Sequence, residues 1–156
     1  MKIAEFLCKD AVTNDLNAVT KEEVVAELVG LLVDAGAIEK RSRNKVIDTL
    51  MAREALGSTA IGQGIAIPHA KSEITGKLIA ALGISKKGVN FDSLDGEPAY
   101  IFFLLVAPAD SAGPHLKALA RVSRLLKDKF FRDSLKNTKS KKDILDLLAQ
   151  EESHLN

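Results

Sequence analysis

Apolar residues recur at helical spacing near both ends of the chain. In the middle the pattern changes to short, nearly continuous apolar runs. Val24, Val25, Leu28, Leu31 and Leu32 mark one face of a first helix. Thr20-Lys21-Glu22-Glu23 opens it as a capping box, in which the Thr20 hydroxyl accepts the Glu23 amide proton and Glu23 reaches back. Gly36 closes it. A second helix is predicted over about 42–56, with Val46, Ile47, Leu50 and Met51 on one face and Gly57 as its stop. Residues 11–17 suggest one early strand. Runs at 65–67, 77–85 and 99–106 read as further strands, the last the strongest, and Gly88 and Asp95-Gly96 predict turns. After Pro108 the helical repeat returns over 115–127, through Leu116, Leu119, Ala120, Val122 and Leu126. A short helix is expected over 129–135. Ser140-Lys141-Lys142-Asp143 has the form of another capping box, opening a last helix to about Glu151. Helices, then strands, then helices, with one early strand, predict a single-domain α/β (α+β) fold: a mixed sheet flanked by helices.

Composition narrows the function. The chain has 156 residues, the size of one domain with a self-sufficient core. That domain is expected over 1–150, with 151–156, including His154, as a polar tail. Hydrophobic residues at 46% and charged residues at 28% are an ordinary soluble balance. A net charge of +1 leaves no basic stripe for nucleic acid. The single Cys8 cannot form an internal disulfide, reads as a small buried hydrophobe, and fits a reducing cytoplasm. Met1-Lys2-Ile3 leads straight to Glu5 and Asp10, so no signal peptide is predicted. The longest apolar run, 99–108, is too short to insert in a bilayer. A role in membrane transport would act through a partner protein.

The richest chemistry lies in Gly57-Ser58-Thr59-Ala60-Ile61-Gly62-Gln63-Gly64-Ile65-Ala66-Ile67-Pro68-His69-Ala70. Glycines let a backbone approach a bound group and present its amides to it. Pro68, with no N–H and a fixed φ, ends the 65–67 strand and presents His69 at a rigid strand end. An imidazole is a good nucleophile near pH 7, its ordinary pKa being about 6.5. A phosphoramidate formed on it can be passed on, and such transfer needs positioning and charge neutralisation above all. The amides of 58–64 are placed to supply some of that neutralisation. Pro-His alone is also compatible with a histidine that merely caps a strand end.

His115, in Gly113-Pro114-His115, falls at a predicted helix start, where anions are favoured. Its bland alternative is a polar residue of a first helical turn. Arg53, one turn before Gly57, carries a guanidinium that can fork onto two phosphate oxygens, or can be a solvated helix-face arginine. Ser58 and Thr59 can bond phosphate or cap the loop, and the sequence leaves both options open.

Sharper motifs fail. Gly57 and Gly62 have P-loop spacing, but Gln63-Gly64 replaces the required Lys-Ser/Thr. No Gly-x-Ser-x-Gly elbow is present. Two histidines without a clear third ligand make a poor zinc site, which ranks a metal-dependent hydrolase third, and no cofactor is called for. Asp92, Asp95 and Glu97 read as turn chemistry rather than an acid–base pair.

The glycine-rich run and its histidine resemble the active-site signature of phosphotransferase-system (PTS) enzyme IIA domains of the fructose/mannitol type, which include nitrogen-regulatory forms. The resemblance extends to 52–57, to Phe91-Asp92-Ser93-Leu94-Asp95-Gly96-Glu97-Pro98, to 101–108 and to 115–126, covering about residues 3–150. Ala70 stands where glycine is commoner. The resemblance implies a five-stranded sheet with helices on both faces. It implies that His69 accepts a phosphoryl group from phospho-HPr and passes it to a cysteine of an enzyme IIB. It gives His115 a supporting role beside that phosphate. Ile61, Ile65 and the start of the His115 helix are candidates for the rim of the docking surface. Sugar uptake and phosphorylation-dependent binding of regulatory targets both remain open, and the lack of an attached membrane domain or enzyme IIB leans toward the second.

Overall fold

A computed structural model describes residues 1–155. The chain runs β1 (Leu7–Thr13), α1 (Lys21–Asp34), α2 (Arg43–Ala55), β2 (Ala60–Gly62), β3 (Ile65–Ala66), β4 (His69–Ser72), β5 (Ile79–Val89), β6 (Ala99–Pro108), α3 (Ala112–Leu125), α4 (Lys129–Lys136) and α5 (Lys141–His154). Single 3-10 turns at Ile3–Glu5 and Lys40–Ser42 precede β1 and α2.

Local signals act where expected. Thr20 accepts the Glu23 amide proton while Glu23 takes the Thr20 N–H, so the capping box closes in both directions; such caps contribute about 1 kcal/mol. At the other end of α1, Gly36 and Ala37 donate to the carbonyls of Val33 and Leu32, the paired bonds of a Schellman stop. At α5, Ser140 accepts from Asp143, but the Asp143 carboxylate takes the N–H of Lys139 instead of Ser140. The helix runs on to His154, so the segment expected as a polar tail is helical to that point. Glu152 within it is buried, accepts the N–H of Ile3, and pairs with Arg121.

The strands form one mixed sheet in the order β1-β5-β6-β3-β2, with β4 also paired to β6. β5 is parallel to β1 and antiparallel to β6, while β3 and β4 both run parallel to β6. Six strands therefore stand where five were expected. The extra one arises because β3 and β4 lie in line along β6, Ile65 against Ile101 and His69 against Leu105, interrupted between them. Pro68 has no N–H to give, and Ile67 turns its own N–H to the Thr59 carbonyl. His69 thus opens a new strand.

β5 and β6 are buried on both faces, as a covered sheet requires. Phe102, Leu104 and Val106 face the layer of α1 and α2, while Ile101, Phe103 and Leu105 face that of α3, α4 and α5. Gly88, expected to turn the chain, instead sits inside β5 at a register irregularity with φ +85°. A side chain there would also strike the Tyr100 ring, 2.8 Å from an added Cβ, so glycine lets the strand bulge and continue. Asp95-Gly96 does form a turn. Cys8 lies half-buried on β1, and burial pushes its thiol pKa up. Among the described residues no helix is long and apolar enough to cross a membrane.

Candidate functional site

His69 begins β4 and is half-buried. Its Nδ1 lies 2.7 Å from the carbonyl oxygen of Ile67, which can only accept. Nδ1 therefore carries the proton, and Nε2 keeps its lone pair. The carbonyls on either side of the Ile67–Pro68 bond are both engaged, since that of Pro68 accepts the N–H of Leu105 on β6 at 2.9 Å. The interruption between β3 and β4 is thus what turns a backbone oxygen onto the imidazole.

His115 lies in the first turns of α3, where its N–H donates to the Ser111 carbonyl. The sheet faces this helix with His69. The two rings meet edge to face, centroids 5.5 Å apart and planes at 66°. His115 is buried, 6% exposed. Burial lowers its pKa first, and electrostatic repulsion from its neighbours His69 and Lys71 lowers it further. The ring is neutral at pH 7. Its Nε2 is a buried polar atom without a hydrogen-bond partner among the described residues. Such an atom is costly unless another state supplies a partner. Sequence reading did not single out Lys71, although a strand sets residues two apart on the same face, which puts Lys71 beside His69.

Arg53, Ser58 and Thr59 occupy the segment leading to this pair, and each has a partner of its own. The half-buried Arg53 donates from its guanidinium to the Gly57 carbonyl at 2.8 Å. Ser58 donates its hydroxyl to the Phe91 carbonyl and accepts the N–H of Ala60. Thr59 is buried and gives both its hydroxyl and its N–H to the carboxylate of Glu54. The two hydroxyls thus act as loop caps, the second of the two sequence options. The amides follow suit: those of Thr59, Ala60 and Gln63 are committed to Glu54, Ser58 and Asp95. These three of the 58–64 amides, expected to supply some of the charge neutralisation, thus have partners within the protein. Asp95 also accepts from the Glu97 N–H and the Ser93 hydroxyl. These bonds, led by those of Gln63 and Glu97, hold its carboxyl below the usual range. This is turn chemistry, as expected.

Sequence reading missed Glu54, which is buried at the end of α2, where a helix C-terminus disfavours negative charge. Its counter-charge is Lys21, with Nζ 3.0 Å from Glu54 and 2.8 Å from Asp92. Burial, the largest single influence on Lys21, opposes its charge, yet the bonds to Asp92 and Glu54 raise its pKa on balance. Lys21 also lies over the Phe91 ring. An acidic residue inside the apolar face of α2 was the available signal.

Of the residues expected at the docking rim, Ile61 and, at the start of α3, Leu116 are exposed, whereas Ile65 is buried in the sheet and cannot form the rim assigned to it. Among the described residues no three His, Cys, Asp or Glu side chains gather as a metal site would require.

A family model described as "Phosphoenolpyruvate-dependent sugar phosphotransferase system, EIIA 2" matches residues 5–151. The fructose-specific EIIABC component of Bacillus subtilis is 39% identical over 150 residues, 96% of this chain but 23% of that protein, so the chain spans under a quarter of it. The fructose-specific EIIA component of Haloferax volcanii is 37% identical over 131 residues, 84% of each chain. The crystal structure of the nitrogen regulatory protein IIA-Ntr from Neisseria meningitidis superposes with a TM-score of 0.83 at 31% identity, covering 94% of this chain and 98% of that one.

Proposed function

The chain belongs to the EIIA 2 family of the phosphoenolpyruvate-dependent sugar phosphotransferase system, and on that premise we propose that it carries a phosphoryl group on Nε2 of His69. Phospho-HPr is the donor. The Nε2 lone pair attacks phosphorus, the donor's bond to phosphorus breaks, and its electron pair returns to the donor. An enzyme IIB cysteine then takes the group in fructose/mannitol-type sugar uptake.

The observation that carries this reading is the 2.7 Å contact between Nδ1 of His69 and the Ile67 carbonyl. It commits one ring nitrogen and leaves the other as the nucleophile. His115 fits the supporting part. Neutral and buried, it offers an unpartnered Nε2 beside His69, which as an N–H would donate to a phosphoryl oxygen. Arg53 is the guanidinium for that phosphate: half-buried and joined to the loop through one carbonyl bond, it exchanges this for two charged ones at modest cost. Ser58 and Thr59 contribute by shaping the loop.

Intact-mass measurement with phosphoenolpyruvate, enzyme I and HPr tests the proposal. One acid-labile phosphoryl group, absent in His69→Ala, is the expected result. A His69→Ala protein that still accepts phosphate overturns it.

A second reading, phosphorylation-dependent binding of a regulatory target, is favoured by the near end-to-end match to IIA-Ntr. A phosphoryl group at His69 adds negative charge to that surface and changes its complementarity. Mixing the phosphoprotein with a fructose-type enzyme IIB separates the two: rapid loss of the group supports transport, and retention supports regulation.

A further inference from the structure

The buried carboxylate of Glu54 is linked to His69 by hydrogen bonds relayed through the backbones of Thr59 and Ile67. Lys21 pairs with Glu54 at 3.0 Å. Glu54 accepts both the hydroxyl and the N–H of Thr59, the latter at 3.1 Å. The Thr59 carbonyl accepts the N–H of Ile67 at 3.1 Å. The Ile67 carbonyl accepts Nδ1–H of His69 at 2.7 Å. The relay passes through two residues, Thr59 and Ile67, so holding the Thr59 backbone bears on where the Ile67 carbonyl points.

We infer that Glu54 is a positioning residue for His69: by pinning Thr59 it aims the Ile67 carbonyl and thereby selects the Nδ1–H tautomer of the imidazole. The inference rests on His69 being the phosphoryl acceptor only for its kinetic consequence; the tautomer consequence stands without it.

Three observations make the chain more than a list of contacts. First, Glu54 is placed against the helix dipole and in the interior, an expensive location for an acid that serves no purpose. Its α2 neighbours on the same buried face, Val46 and Leu50, are apolar. Second, Ile67 lies at the break between β3 and β4, so β6 does not engage its N–H. The Thr59 carbonyl takes the Ile67 N–H instead, adding to the hold that the pairing of Ala66 and the Pro68–Leu105 bond have on the neighbouring residues. Third, a neutral imidazole interconverts its tautomers readily unless one nitrogen is engaged, so the orientation of a single carbonyl decides which nitrogen is free. Hydrogen-bond partners behind a metal-bound histidine typically change affinity or activity by about 10–100-fold, and the longer relay from Glu54 sets the expected effect at the low end of that range.

The test uses the full chain. Long-range proton–nitrogen NMR at alkaline pH, with His69 assigned by His69→Ala, reports the tautomer of each histidine. In wild type His69 is predominantly Nδ1–H. In Glu54→Ala the His69 population moves toward Nε2–H, while the His154 signals stay unchanged. The same variant loses roughly tenfold in kcat for phosphoryl acceptance from phospho-HPr with KM unchanged, because Glu54 is buried away from the donor. Glu54→Gln, whose amide oxygen still accepts from Thr59, restores the wild-type tautomer. If Glu54→Ala does not fold, Thr59→Val carries the test: it removes the hydroxyl link at equal volume and lowers kcat about threefold. A folded Glu54→Ala or Thr59→Val protein with wild-type tautomer populations and kcat overturns the inference. Phosphate acceptance by His69→Ala would instead overturn the carrier assignment and leave the tautomer result intact.

Discussion

Replacing Lys21 with methionine removes the counter-charge of a carboxylate that is 3% exposed. Losing one partner of a buried ion pair costs about 3–5 kcal/mol, because the remaining charge is left uncompensated. Glu54 keeps its two donors from Thr59, which places the expected cost of Lys21→Met near the bottom of that range, about 3 kcal/mol. The exposed Asp92, 72% accessible, loses little, since a surface pair contributes about 0–1 kcal/mol. The reverse change is milder. Glu54→Gln leaves Lys21 paired with Asp92 and leaves an oxygen to accept from Thr59, so about 1 kcal/mol is expected. In Lys21→Met/Glu54→Gln no buried charge remains, and the double variant should be more stable than Lys21→Met alone. Urea denaturation of the four proteins measures this. For a chain of this size, 3 kcal/mol also lowers the melting temperature by about 6–12 °C. A Lys21→Met protein within about 0.5 kcal/mol of wild type, or a double variant less stable than Lys21→Met, would refute the reasoning.

Other outcomes follow from the same structure. His115 has a lowered pKa when folded and an ordinary one of about 6.5 when unfolded, so the unfolded chain binds more protons as pH falls through that window. Stability should decline on acidification from pH 7 through about 6.5 and below, and melting curves of His115→Gln should be flatter over the same range. At Gly83 an added Cβ would lie 2.9 Å from Leu16 and Leu28; Gly83→Ala should lose about 1–3 kcal/mol in a denaturant titration, through overpacking. Arg53→Lys should slow phosphoryl acceptance about tenfold at nearly unchanged stability, because an ammonium cannot fork onto two oxygens; a rate equal to wild type would remove Arg53 from the site.

What was legible in the sequence is what depends on neighbours along the chain. The Thr20–Glu23 box, the stop at Gly36 and the apolar periodicity of α1 and α2 are short-range and were read correctly. So was the layered α/β architecture, because β5 and β6 are too uniformly apolar to be anything but covered on both faces. Gly88 misled because the same residue type serves a turn and a bulge, and only the Tyr100 ring across the ladder distinguishes them. β4 escaped notice because His69-Ala70-Lys71-Ser72 has little strand character of its own and is held by its pairing to β6. Within the site, His69 and His115 were singled out separately and the fold brings them together. The inward commitment of Ser58 and Thr59 was not legible, since it depends on Phe91, 33 residues away from Ser58, and on Glu54, whose burial no local pattern announces.

The break at Pro68 has one more consequence, for the protein's behaviour at high concentration. One side of the sheet ends in β2, three residues long, and in the four-residue β4, instead of one long ribbon that an uninterrupted chain from Ile65 to Ser72 would make. The opposite margin, β1, slips register between Leu7 and Val12 and displays Lys9 and Asp10. Neither margin offers a flat, extended template against which a second copy can zip, and short, irregular, charged borders of this kind suppress fibril-like stacking. The kink that presents His69 thus also keeps the margins of the sheet short.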